Sequence, residues 1–223
     1  MKKLTLLLLL TTSLLFSQEA IETKLGDFNT LKVFSGLEVE LIKANETKVV
    51  VTGTKANQVS VKNKNGTLKF SLKLIEGFKY DDVTIKLYYQ DNIATLDANE
   101  GSHIFSNEII KQQHLELKTQ EGAHIEMSLA IKYLTVKCVS GGIIDIEGTV
   151  QNQKIEANTG GIYKGFEVQS IQTTAVSSAG AVVEVTVSEM LDAKVNFGGT
   201  IYYKGNPEAL KTKKVIGGKI EQK

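Results

Sequence analysis

Leu134-Thr-Val-Lys-Cys138-Val-Ser-Gly141-Gly-Ile-Ile144-Asp-Ile146 decides how the chain folds. Apolar or small residues alternate on both sides of a glycine pair, the two-residue period of a half-buried strand. The pair itself marks a corner, where a positive φ or a close backbone approach excludes most side chains. The same phrase precedes it as Leu115-Glu-Leu-Lys-Thr-Gln-Glu-Gly122-Ala-His-Ile125-Glu-Met127. It returns as Leu191-Asp-Ala-Lys-Val195-Asn-Phe-Gly198-Gly-Thr-Ile201-Tyr-Tyr203. Small pairs recur at a spacing of nineteen: Gly122-Ala123, Gly141-Gly142, Gly160-Gly161, Ala179-Gly180, Gly198-Gly199 and Gly217-Gly218. A repeat of this length identifies a stacked solenoid.

Helix competes poorly, because two glycines in every repeat would each cost it about 1 kcal/mol. A leucine-rich repeat needs a dense leucine frame, which is missing between Gly141 and Gly180. The expected fold is all-β: a parallel β-helix or solenoid with coils of about nineteen residues, equivalent residues stacking roughly 4.8 Å apart. One inward ladder is expected at Thr119, Cys138, Ala157, Val176 and Val195, and another at Ile125, Ile144, Tyr163, Val182, Ile201 and Ile220. An outward ladder, His124, Ile143, Ile162, Ala181, Thr200 and Lys219, is apolar in its middle. Such a stripe needs cover, expected from the amino-terminal part of the chain or else from a partner.

Working outward, Glu100-Gly101-Ser102-His103-Ile104 repeats Glu121-Gly122-Ala123-His124-Ile125 at a spacing of twenty-one. That coil therefore carries two extra residues, and residues 93–223 are assigned to the solenoid. Residues 18–92 hold short alternating segments at 31–33, 37–42, 48–52, 59–61, 68–74 and 83–89, with a hairpin signal at Asn63-Lys64-Asn65-Gly66. They are expected to form a β section continuous with the solenoid, capping or flanking it. Residues 1–17 have the layout of a secretory signal peptide: basic Lys2-Lys3, apolar Leu4–Leu10, then Ser17 before Gln18. The apolar run is short for a spanning helix, which needs about 20 residues. Export to the periplasm, outer surface or extracellular space is expected, with no integral membrane segment after cleavage.

Loss of Lys2 and Lys3 moves the formal charge from +1 to −1. A near-neutral chain without arginine has no electrostatic pull on nucleic acid and lacks the planar fork for bidentate phosphate recognition. The single cysteine, Cys138, excludes an internal disulfide, so stability must come from the core.

Several segments together resemble the head GIN domain family of auto-transporter adhesins from Bacteroidetes-type bacteria. They are Phe28-Asn-Thr-Leu31-Lys-Val33 with Gly36-Leu-Glu-Val-Glu-Leu41, Gly66-Thr-Leu68-Lys-Phe70, and above all Gly198-Gly-Thr-Ile-Tyr-Tyr-Lys-Gly205-Asn-Pro207 followed by Gly217-Gly-Lys-Ile220. The resemblance spans about residues 28–223 and implies a secreted or cell-envelope β-solenoid.

Candidate chemistry is sparse. His103 and His124 hold matching places, with Glu100 and Glu121 nearby. Two histidines with carboxylates make a zinc or copper environment conceivable, but no third ligand is placed, so a polar ladder and no metal are expected. Glu126, Asp145, Glu147 and Lys164 fall on outward positions, with Glu126 and Asp145 as ladder neighbours that could share acid and base roles. No nucleophile elbow or phosphate loop is present, and no cofactor is expected. Cys138 reads as a buried apolar residue. Tyr88, Tyr89 and Tyr202 are the candidate sugar-stacking surface, and Ile143 with Ile162 a candidate contact stripe. The expected function is a non-enzymatic exported module binding a cell-surface glycan or protein. The alternatives are a carbohydrate-active enzyme and a self-associating envelope subunit.

Overall fold

The computed structural model describes residues 20–73 and 83–223. Residues 1–17, expected from the sequence to be a signal peptide, lie outside them. The strands are β1 (Ile21–Lys24), β2 (Thr30–Val33), β3 (Glu38–Lys43), β4 (Lys48–Thr52), β5 (Val59–Lys64), β6 (Thr67–Leu72), β7 (Thr84–Tyr89) and β8 (Thr95–Ala98). They continue with β9 (His103–Thr119), β10 (His124–Cys138), β11 (Ile143–Ala157), β12 (Ile162–Ser178), β13 (Val182–Asn196), β14 (Thr200–Lys204), β15 (Ala209–Val215) and β16 (Lys219–Gln222).

Each strand from β9 to β13 is a coil bent over two faces and paired in parallel with the next. In β10, Ile125, Met127, Leu129 and Ile131 point inward. The alternation breaks at exposed Lys132 and Tyr133, then resumes inward at Leu134, Val136 and Cys138. Two outward residues in a row are the second corner of the coil. The first corner is the glycine pair, and its two positions do different jobs. Gly141 has φ 74° with open space around a would-be side chain, so only backbone conformation requires it there. Gly142 lies against the rung below, where a Cβ would sit 2.6 Å from the Thr119 carbonyl carbon. The residue before each pair is also left-handed, as at Glu121 (φ 55°) and Ser140 (φ 49°). Two successive left-handed residues make the tight turn, closed by Ala123 N–H donating to Gln120 O at 3.2 Å.

The register departs from a strict nineteen at one place. Left-handed glycines stand at 122, 141, 160, 180, 198 and 217, so their spacings are 19, 19, 20, 18 and 19. Gly180 pairs with Ala181 in its corner, while Ala179 takes the preceding left-handed position. β12 holds an extra residue, since Asp145 faces Lys164 but Gly148 faces Val168. The expected ladders are corrected accordingly. Ser177, not Val176, follows Ala157, and Val183, not Val182, follows Tyr163. Val182 moves to the outward ladder and Ala181 is buried. The two extra residues of the first coil form a bulge inside β9, between Ser106 and Ile110.

The amino-terminal strands build coils of the same design. β2, the left-handed Ser35-Gly36 corner and β3 lie directly beneath β8, the Glu100-Gly101 corner and β9, with Gly36 N–H donating to Glu100 O at 2.8 Å. β6 and β7 pair in parallel beneath that coil. β5, β4 and β1 close the end as antiparallel strands. The section therefore stacks on the end of the solenoid. Its described strands pair along that end and not over Ile143 and Ile162, which are half-buried, so among the described residues the expected cover of that stripe is not seen. At the opposite end, β15 exposes Lys211, Lys213 and Lys214, charges that guard a free edge.

Ile104, Ile125, Ile144, Tyr163, Val183 and Ile201 form a fully buried ladder along the core. Each aliphatic member contributes about 1.5–3 kcal/mol by leaving water. Beside it runs a closed polar chain. Tyr163 OH donates to Gln153 Oε1 at 2.7 Å, and Gln153 Nε2 donates to Thr173 Oγ1 at 3.0 Å. The Thr173 and Ser170 hydroxyls are 2.8 Å apart, and Ser170 donates to Thr186 O at 2.7 Å. Gln153, which breaks the apolar pattern of the sequence, is thus buried with both its amide oxygen and its amide nitrogen hydrogen-bonded.

Candidate functional site

The outer face of the first strand segments carries the densest chemistry. Parallel register converts the repeat into columns of side chains. The column just after the glycine corner reads Glu38, His103, His124, Ile143, Ile162, Val182, Thr200 and Lys219. Two residues on, the next column reads Glu40, Phe105, Glu126, Asp145, Lys164, Glu184, Tyr202 and Glu221. A groove of about 400 Å³ runs across this second column and the one beyond it, where Ser128, Glu147 and Phe166 stand.

Glu126 and Asp145 are ladder neighbours, as the spacing implied. Lys164 stands one rung above Asp145 and holds it through a 3.0 Å ion pair. Glu147 accepts a hydrogen bond from the Ser128 hydroxyl one rung below. The groove is open and its carboxylates are substantially exposed, so the arrangement offers a charged surface for contact and no enclosed cleft. A second groove, of about 630 Å³, lies near the other corner, lined by Gln112, Ala130, Thr149, Gln151, Gln169 and Ile171.

At the lower end of the first column the imidazoles of His103 and His124 stack face to face, 4.8 Å between centroids and 8° from parallel. Phe105 stacks on His103 at 5.2 Å. His103 Nδ1 lies 3.4 Å from Glu38 Oε2, and His103 Nε2 lies 3.9 Å from Glu126 Oε2. The Nε2 atoms of both histidines are buried without a hydrogen-bond partner. Burial, then the neighbouring His103, holds the His124 pKa below its ordinary value. The acids that gather here are Glu38 and Glu126. Glu100 and Glu121, expected beside the histidines, are instead left-handed corner residues, and Glu100 accepts hydrogen bonds from Ser35 N–H and Oγ.

The other candidates are dispersed. Tyr89 is buried, only 6% exposed, and is withdrawn as a surface residue. Tyr88 is half-buried with Lys48 Nζ 5.6 Å from its ring centroid. Tyr202 lies half-buried under Lys219 and Lys223, at 5.3 and 4.5 Å. Cys138 is buried, and desolvation pushes its thiol up to about 12, so it is inert at neutral pH. His114 stacks on Tyr133 at 4.9 Å, away from the other histidines. The histidine repeat by itself does not point to Glu38. Its signal was Ser35-Gly36-Leu37-Glu38, the same corner phrase as Glu100-Gly101-Ser102-His103.

Fold and surface together define a short parallel β-solenoid that presents repeated side-chain columns. Residues 27–207 match the family described as "Putative auto-transporter adhesin, head GIN domain", and the chain belongs to it. No curated protein matches the chain. A "putative adhesin" from Bacteroides fragilis has the same fold, with a TM-score of 0.83 and 17% identity over 93% of this chain and 98% of its own. A "putative lipid binding protein" from Parabacteroides distasonis gives 0.70 and 20%, over 91% and 96%. A "putative adhesin" from Parabacteroides merdae gives 0.69 and 16%, over 92% and 95%. Among the described residues no helix is long and apolar enough to cross a membrane.

Proposed function

We propose that the chain is an exported, non-enzymatic binding module of the cell surface, and that the charged groove over Glu126, Asp145, Lys164 and Phe166 is its contact face. The observation that carries this reading is the columnar display itself. Consecutive rungs place acid, acid, base and acid at one height, Glu126, Asp145, Lys164 and Glu184, along an open face. An extended partner with regularly spaced polar groups, such as a surface glycan or a protein strand, can be matched rung by rung. Membership of an adhesin family supports adhesion as the purpose, and residues 1–17 support export. Catalysis is not supported, because acid–base work on a glycoside wants two differently tuned carboxylates around a bound bond. Here Asp145 is tied to Lys164 in open solvent.

The test is saturable binding of the exported chain to intact cells, envelope fractions and an array of surface glycans, repeated with Asp145→Ala and Lys164→Ala. Binding that weakens in both variants supports the reading. Absence of saturable binding on all three, or turnover of a polysaccharide, overturns it.

A further inference from the structure

The paired histidines have no role in the groove described above, yet their surroundings are those of a ligand set. Two imidazole nitrogens are buried with no partner, and a buried polar atom normally has one. His103, His124 and Glu126 each bring one ligand atom, all within 4.8 Å of one another. Glu38 lies on the far nitrogen of His103, 3.4 Å away. A carboxylate in that position accepts a hydrogen bond from Nδ1–H and leaves the Nε2 lone pair free to ligate, the usual support for a metal-bound histidine. We propose that His103, His124 and Glu126 bind a single Zn²⁺ ion, with Glu38 orienting His103 and the fourth position open to solvent.

The chemistry selects the ion. Two imidazoles and one carboxylate suit zinc or its transition-metal neighbours and not magnesium or calcium, which prefer all-oxygen shells. Two nitrogens on one zinc are at most about 4.2 Å apart, twice the ordinary Zn–N distance. The rings are stacked one rung apart, so coordination requires them to tilt toward each other by side-chain rotation. Three protein ligands and an open position are the pattern of a site that accepts a further ligand.

Calorimetric titration of the folded protein with Zn²⁺, alongside thermal unfolding with and without the ion, tests the proposal. One ion per chain is expected, with a rise in Tm and no comparable effect of Mg²⁺ or Ca²⁺. Affinity is expected to fall at least about ten-fold in His124→Gln and in Glu126→Gln, and by a similar factor in Glu38→Gln through loss of orientation. His114→Gln is expected to bind as the unaltered chain does. Glu126 is exposed, so Glu126→Gln keeps the core intact, and circular dichroism without metal verifies each variant. Co²⁺ provides a second readout, an absorption band in the visible that disappears in His103→Gln. The proposal is overturned if no zinc binds at millimolar concentration, if binding survives His124→Gln and Glu126→Gln unchanged, or if Ca²⁺ binds as well as Zn²⁺.

Discussion

The Tyr163 ring fills the space that a side chain at Gly165 would need: a Cβ there would lie 2.4 Å from Tyr163 Cε1 and 2.8 Å from Glu184 O. Tyr163 and Gly165 are successive inward positions of one strand. The coil therefore accommodates a tyrosine in an otherwise aliphatic ladder by deleting the next side chain. Gly165→Ala is expected to destabilise the protein by about 1–3 kcal/mol through overpacking, read as a lower urea midpoint at an unchanged m-value.

Tyr163→Phe should also be costly, for a different reason. It fills the same space but leaves Gln153 Oε1 without its donor in a fully buried setting. An orphaned buried acceptor costs about 1–3 kcal/mol. Pairing Tyr163→Phe with Gln153→Leu in a double-mutant cycle is expected to recover part of the loss. Strict additivity would refute the coupling.

From Gly122 onward the second corner position has a rule of its own. It is glycine above Thr119, Cys138 and Ser177, where a Cβ would meet backbone at 2.6 Å or less. It is alanine at Ala123 and Ala181, whose rungs below carry Ala98 and Ala157 at the ladder position. Gly142→Ala should thus cost more than Gly141→Ala, for which only the left-handed conformation is penalised, by about 1–2 kcal/mol. Adding Thr119→Ala is expected to relieve part of the Gly142→Ala loss and not the Gly141→Ala loss. Chemical denaturation of the four combinations would show it.

Glu116 ties three rungs together. It accepts from Thr95 Oγ1 at 3.2 Å and faces Lys118 at 2.8 Å and Lys137 at 3.7 Å. Partial burial pushes its pKa up, but the two lysines and the hydroxyl outweigh that and hold it below the usual 4.5. A depressed carboxylate stabilises the fold above its unfolded pKa, and that stability is lost as pH falls through the folded value. Stability should therefore drop as pH falls below the ordinary glutamate range and through the depressed Glu116 pKa, and Glu116→Gln should flatten that part of the curve. An unchanged pH profile in the variant would assign the drop elsewhere.

The architecture was legible because its signal is conformational. A left-handed turn followed by a close backbone approach leaves few residue types, so small pairs mark every corner from Gly122 to Gly217. What could not be read was a single inserted residue. The bulge in β12 displaced Val176 and Val182 by one position, and a one-residue slip exchanges inside for outside. The histidine pair was visible as two matching phrases. Its carboxylates were not, because Glu126 lies two positions along its strand and Glu38 comes from a strand 65 residues earlier. Tyr89 looked exposed beside Tyr88 because alternation shows that one of two neighbours is buried without saying which.

The stacking order bears on how the molecule is made. From β9 onward each new coil lies on the one completed just before it, so a chain emerging from the amino-terminal side can add rungs one at a time, each templated by a finished edge. Below β9 that order fails: β3 is already synthesised when β7 arrives to cover one of its edges, and its other edge waits for β9. The slow, entropically expensive closure is concentrated there. Once His103 has docked beside Glu38, what remains is extension, rung upon rung along the parallel register.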